Sequence, residues 1–193
     1  MSAAKNKKVI KAFVIPLIFP ILLWLIHIAA TVTDFDLYKM GLLPRNTTGL
    51  LGIVTAPLIH GDFSHLISNT FPLIVLGWII LFFYPKVSFF LFIFIYLVTG
   101  LLVWIFARQV YHIGASGIVY GFVSFLFFSG LFRKDNTSIT LALIITFLYG
   151  GIVWGMLPGM KGISWESHLL GAVTGLIAAF LFRKVDPPAK KYD

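Results

Sequence analysis

Long apolar runs separated by short polar punctuation dominate the chain, and six reach the length of a membrane helix: about 12–32, 65–84, 87–106, 115–132, 138–157 and 167–183. At roughly 1.5 Å per residue, about twenty apolar residues match a hydrocarbon core of about 30 Å. The pattern predicts an all-α membrane protein, a bundle of six transmembrane helices. Pro16 and Pro20 predict a kink in the first span. That run has no small-residue cleavage site and is too long for a signal peptide, so it reads as a retained helix.

The connections "YPKVS" and "FRKDN" are short and polar. They make spans two and three, and spans four and five, antiparallel neighbours. Residues 33–64 are too long for a turn and mix apolar with polar positions, which predicts a partly helical loop at the outer interface. No internal repeat or linker divides the chain, so residues 1–193 read as one membrane domain. Residues 184–193 read as a mobile tail, because Pro187 and Pro188 cannot continue the last helix.

Composition sharpens this picture. Of 193 residues, 59% are hydrophobic and 11% charged, more apolar surface than a soluble domain of this size can bury. The absence of cysteine excludes disulfides, thiol catalysis and cysteine metal sites. The net charge of +8 is unevenly placed. With six spans, Lys5, Lys7, Lys8, Lys11, Lys86, Arg133, Lys134, Arg183, Lys184, Lys190 and Lys191 share one side, leaving only Lys39, Arg45, Arg108 and Lys161 on the other. The positive-inside rule then puts both termini in the cytoplasm. The basic excess sets topology and meets lipid headgroups, and it argues against a nucleic-acid partner.

The remaining polar residues carry the chemistry. His27, His60, His65, His112 and His168 all fall toward the outer side. In "HGDFSHLISN", His65 and Asn69 share one face of span two at i, i+4, with Asp62 or Ser64 able to cap the helix. Both side chains also suit bonds to loop backbone. In "YHIGASGIVYGF", Ser116 and Tyr120 form one i, i+4 pair and Gly117 and Gly121 another. A helix starting at Ser116 is short for the bilayer, so its amide-bearing N-terminus is sunk below the outer surface. Such an end stabilises an oxyanion beside a serine nucleophile, although small residues at this spacing also serve plain helix packing. In "ESHLLGAVTG", His168, Gly171 and Gly175 lie within roughly 60° on one face. That face can approach the Gly117/Gly121 face closely enough for imidazole to reach the serine. No Asp or Glu lies well inside a span, and Glu166 points from a different face. A Ser116/His168 dyad follows, with Tyr120 either stacking on the imidazole or simply filling the core.

Together, "HGDFSHLISN", "GASG" with a tyrosine four residues after the serine, and "SHLLGAVTG" resemble the rhomboid family of intramembrane serine proteases. They fall in family order on spans two, four and six, and the likeness covers essentially the whole chain. The resemblance implies that Ser116 is the nucleophile and His168 the general base. It implies an oxyanion hole from His65, Asn69 and the Ser116 amide, with the Gly114 backbone beside it. His60 matches the first histidine of the family's H-x4-H-x3-N pattern and is implied to be structural, while Gly171 lets helices four and six touch. Cleavage of transmembrane segments of membrane proteins near the outer boundary is implied, without cofactor or metal, in a multi-pass protein of the bacterial cytoplasmic membrane. Span five, with Gly150, Gly151 and Gly155, and the loop "PGMKGISW" are implied as lateral gate and cap, or else as packing devices. Residues 33–64 lack the Trp-Arg pair of many members, and Arg45 stands alone there. Two rivals remain: an inactive relative that binds membrane clients, and a metal-binding or transport protein built on His60, His65, His112 and His168.

Overall fold

A computed structural model describes residues 3–159 and 162–186, with side chains described from Val14 onward. The side chains of Lys5, Lys7, Lys8 and Lys11, together with Lys161, Pro187, Pro188, Lys190 and Lys191, lie outside the described residues. The helices are α1 (Ala3–Thr33), α2 (Gly52–Thr55), α3 (Phe63–Phe83), α4 (Ser88–Phe106), α5 (Ser116–Arg133), α6 (Asn136–Tyr149) and α7 (Trp165–Leu181). By length and composition, five are able to cross a membrane: α1, α3, α4, α5, and α6 with the 3₁₀ turn that extends it to Met156. The sixth predicted span is α7, whose 17 residues reach only about 25 Å.

Helix α5 is the axis of the bundle. Burial covers 61% of its spanning window, against 17–28% in the other four. Phe125 and Leu126 from α5 meet Leu66 and Leu76 from α3, Leu91 and Ile95 from α4, and Ile145 from α6, all nearly or fully buried. The closest helix pair is α5 with α7. A Cβ on Gly171 would run into the carbonyl oxygen of Gly117, and one on Gly175 into that of Gly121. Glycine is required there because two backbones touch. Just beyond, Ser124 Oγ donates to Ala172 O at 2.6 Å, an interhelical bond of the kind that replaces hydrophobic drive inside lipid.

Several elements differ from expectation. The first spanning segment is Val14–Thr33, and helix α1 extends beyond it to Ala3, since alanine and lysine favour helix whether or not lipid surrounds them. It runs unbroken through Pro16 and Pro20, and Gly77 of α3 faces Pro16, 3.2 Å from where its Cβ would stand. Spans four and five are neighbours as expected, but α3 and α4, joined by an equally short turn, scarcely touch. Both pack on α5 instead, and Phe19 of α1 meets Phe92 and Tyr96 of α4 edge-on. Span five unwinds: α6 stops at Tyr149 and Gly150–Met156 continue as a 3₁₀ helix. Gly150 and Gly151 hold α-helix poorly, which permits the change. The tail is fixed as far as Asp186, whose carboxylate accepts from the amides of Lys86 and Val87 while its carbonyl accepts from Arg133 Nη1.

The long loop after α1 is folded: 3₁₀ turns at Tyr38–Met40, Thr47–Leu50 and Ala56–Leu58 flank α2. Its anchor is Arg45, whose Nη1 donates to Ile105 O at 3.1 Å and Ala107 O at 2.6 Å, using carbonyls orphaned at the end of α4. Trp104 Nε1 donates to Asn46 O at 3.0 Å. An arginine and a tryptophan therefore do anchor this loop, but the tryptophan comes from α4.

Gly171→Leu is expected to lower thermal stability in detergent by about 1–3 kcal/mol or more through overpacking. Gly151→Ala, whose added Cβ meets nothing within 4 Å, should leave it nearly unchanged. Equal melting temperatures for wild type and Gly171→Leu would refute the backbone contact.

Candidate active site

The α5/α7 contact places two side chains within bonding distance. His168 Nε2 lies 2.8 Å from Ser116 Oγ. On the other edge of the ring, His168 Nδ1 lies 2.8 Å from the carbonyl oxygen of Gly155. A carbonyl only accepts, so Nδ1 carries the proton, and in the neutral ring Nε2 is the acceptor for the Ser116 hydroxyl. Tyr120 stacks on the imidazole with centroids 4.1 Å apart and planes at 8°. Its hydroxyl donates to Ile152 O at 2.7 Å. Tyr120 is thus a face against the ring as well as a buried core residue.

Ser116 is the first residue of α5, and by position the amides of Ser116 and Gly117 have no intrahelical acceptor. The preceding turn depends on Gly114, whose φ of +103° is left-handed and whose amide donates to Ala56 O at 2.9 Å. A Cβ there would lie 2.7 Å from His65 Nε2, so the His65 ring edge and the Gly114 backbone abut. His65 follows the cap of α3, where the Asp62 carboxylate accepts from the His65 amide at 2.7 Å; of the two capping options Asp62 serves. Asn69, one turn on, donates one amide hydrogen to His65 O at 2.8 Å and keeps a second. His65, Asn69, Ser116, Tyr120 and His168 all line one cavity of about 960 Å³. Gly117, Gly121 and Gly171 stand behind it as the contact that closes α5 on α7.

His60 does not reach the cavity. It is buried, its ring meets His65 edge-on at 4.9 Å, and neither ring nitrogen makes a hydrogen bond of good geometry. Burial, followed by the positive ends of His65 and His27, lowers its pKa from the ordinary 6.5 to about 3. Among the described residues, no three His, Asp or Glu side chains are grouped to hold a metal ion. His112 and His168 have other partners, which dismantles the four-histidine metal site.

A second polar group, which the sequence reading passed over, ties the loop before α5 to the start of α7. His112 Nε2 donates to Arg108 O at 3.0 Å, leaving Nδ1 to accept from Ser164 Oγ at 2.5 Å. Ser164 caps α7 and accepts from the Ser167 amide at 3.3 Å. The backbone of His112 also pairs with Leu42 in both directions, 2.8 and 2.9 Å, so three segments meet at one residue. Burial keeps its pKa below the ordinary value. Beside it Arg108 Nε and Glu166 Oε1 pair at 2.7 Å, so the Glu166 carboxylate is engaged by Arg108 and makes no hydrogen bond to His168. The available signal was charge: Arg108 and Glu166 are two of the few ionised residues between the second and the last apolar run away from the basic turns.

A sequence model of the rhomboid domain matches residues 47–185, well over half of the chain and including His65, Asn69, Ser116, Tyr120 and His168. The chain belongs to the rhomboid family. It is also similar to uncharacterized proteins of Mycobacterium bovis and Mycobacterium tuberculosis, each 35% identical over 185 residues, covering 90% of this chain and 76% of the relative. An uncharacterized protein of Mycobacterium leprae is 33% identical over 176 residues, covering 86% and 69%. Family membership with these apolar helices makes the chain an integral membrane protein of rhomboid type.

The buried His60 carries a pH signature. An unfolded chain takes up the proton near pH 6.5, whereas folded His60 does so only near 3. Stability present above about pH 6.5 is therefore lost as pH falls toward 3, by at most ~1.4 kcal/mol per pH unit. His60→Phe is expected to flatten the fall of melting temperature between pH 7 and 4. An unchanged slope would show that His60 does not stay neutral in the fold.

Proposed function

We propose that the chain is an intramembrane serine endopeptidase, one membrane domain over residues 1–193, that cleaves transmembrane segments near the outer boundary of a bacterial cytoplasmic membrane. The observation that carries this reading is the 2.8 Å hydrogen bond between Ser116 Oγ and His168 Nε2 beside the cavity. In the reaction, Ser116 gives its proton to His168 Nε2 as Oγ bonds to the peptide carbonyl carbon. The carbonyl oxygen becomes an oxyanion, stabilised by His65, the free hydrogen of Asn69, and the Ser116 amide next to Gly114. Collapse breaks the C–N bond, and His168 returns the proton to the leaving amine. Water, deprotonated by His168, then releases the acyl group.

The cavity sits at the sunken end of α5, where polar backbone is tolerated because it faces water rather than lipid. A substrate helix must unwind there to present a carbonyl, which favours small residues around the scissile bond. Both termini face the cytoplasm in this reading, membrane proteins and lipids are the partners, and the chemistry needs neither cofactor nor nucleic acid.

A fluorophosphonate probe is expected to label the detergent-solubilised chain at Ser116, and Ser116→Ala or His168→Ala to lower cleavage of a single-span substrate by a thousandfold or more, about the scale of losing a nucleophile or base. Asn69→Ala should cost about a hundredfold in kcat. Undiminished cleavage by Ser116→Ala would sink the proposal. A folded wild type that neither labels nor cleaves would leave the client-binding relative in its place.

A further inference from the structure

The dyad lacks the carboxylate that usually orients a catalytic imidazole, yet the imidazole is held. We infer that the backbone carbonyl of Gly155, presented by the 3₁₀ segment Gly150–Met156, is the positioning group for His168 and sets its tautomer. The inference rests on the protease reading for its consequence in catalysis, though not for its geometry. Glu166 is spent on Arg108 at 2.7 Å, while Gly155 O accepts from Nδ1 at 2.8 Å.

The sequence makes that carbonyl available. In a continued 3₁₀ helix the donor to Gly155 O would be the amide of residue 158, which is Pro158 and has no N–H. The chain also turns away at Leu157, with φ −94° and ψ 142°, so no further helical turn forms. Gly155 must be glycine to come this close. A Cβ would run into the Tyr120 hydroxyl and sit 3.2 Å from His168 Nδ1. Gly150 and Gly151 have no such contact: an added Cβ meets only Thr146 Cγ2 at 3.9 Å at the first and nothing within 4 Å at the second. Of the three glycines in this span, one has a close-approach role.

Tyr120 completes the device. Its hydroxyl donates to Ile152 O at 2.7 Å, three residues before Gly155 and therefore on the same side of a 3₁₀ helix. One tyrosine thus supports the imidazole's face and anchors the segment that holds the imidazole's edge. If the segment moves off, Nδ1 loses its acceptor, the ring is free to protonate at Nε2 instead, and Ser116 loses its base. Segment and base are one unit.

Two measurements on the full chain in detergent decide this. Nitrogen-15 spectra of labelled histidine, with His168 assigned through His168→Gln, are expected to show Nδ1 protonated and Nε2 bare at neutral pH. Gly155→Ala should turn that signal toward a mixture. A wild-type ring that is mixed or protonated at Nε2 would overturn the inference. In the kinetic arm, Gly155→Ala is expected to lower kcat about tenfold or more with KM within about twofold, while Gly151→Ala keeps both. Adding Gly155→Ala to Tyr120→Phe should slow the reaction less than adding it to wild type, because the hydroxyl that the new methyl strikes is gone while His168 Nδ1 still stands 3.2 Å from it. Wild-type kcat in Gly155→Ala would overturn the inference as well. Should that variant not fold, the wild-type spectrum decides. If Ser116→Ala still cleaves, the protease reading fails while the tautomer result stands.

Discussion

The contact on which the site depends is backbone against backbone, where Gly171 and Gly175 of α7 meet the carbonyls of Gly117 and Gly121 of α5. A serine side chain reaches only one atom past Cβ, so a 2.8 Å bond from Ser116 to an imidazole on the next helix demands this closeness. Inside lipid no hydrophobic gain draws two helices together, and van der Waals fit and interhelical bonds must suffice. The contact supplies fit along both pairs, and Ser124 to Ala172 supplies a bond just beyond them. The same approach makes α5 the most buried span, with α3, α4 and α6 filling the rest of its surface.

The loops at the Ser116 end of the bundle extend that order to the start of α5. His112 joins Leu42 of the long loop after α1, Arg108 just past α4 and the Ser164 cap of α7. Only three residues separate it from Ser116. Any shift of the α7 cap is therefore felt in the turn that carries the serine. Arg45 and Trp104 fasten the long loop after α1 to α4 from the other side.

Much of this was legible because it follows from helical period and residue size. The i, i+4 pairing of His65 with Asn69, the glycine faces of spans four and six, and the short fourth span all required only spacing. What escaped were partners that leave no trace in side-chain pattern. Backbone carbonyls are the main case: nothing in "YGGIVWGMLP" names Ile152 and Gly155 as acceptors, although Pro158 marks where a donor is missing. The anchoring of residues 33–64 escaped because its tryptophan sits about sixty residues from its arginine, outside any local motif. The neighbour relation of α3 and α4 failed because a short turn fixes direction but not contact.

The distribution of charge gives these features a common physical cause. Among the described residues the ion pair near the site has one exposed end, Arg108, which is about half exposed, while the buried Glu166 carboxylate is compensated by it and the groups around the His168 ring are neutral. A carboxylate beside His168 would stabilise the imidazolium more strongly than a carbonyl does. It would also have to be carried into a low-dielectric bundle, and an uncompensated ionised group there costs several kcal/mol. A backbone carbonyl is already present in every residue and carries no net charge. Using it requires only that helical bonding release it, which the 3₁₀ winding and Pro158 accomplish at Gly155. Unwinding the end of span five is then the structural counterpart of a missing acidic residue beside the His168 ring.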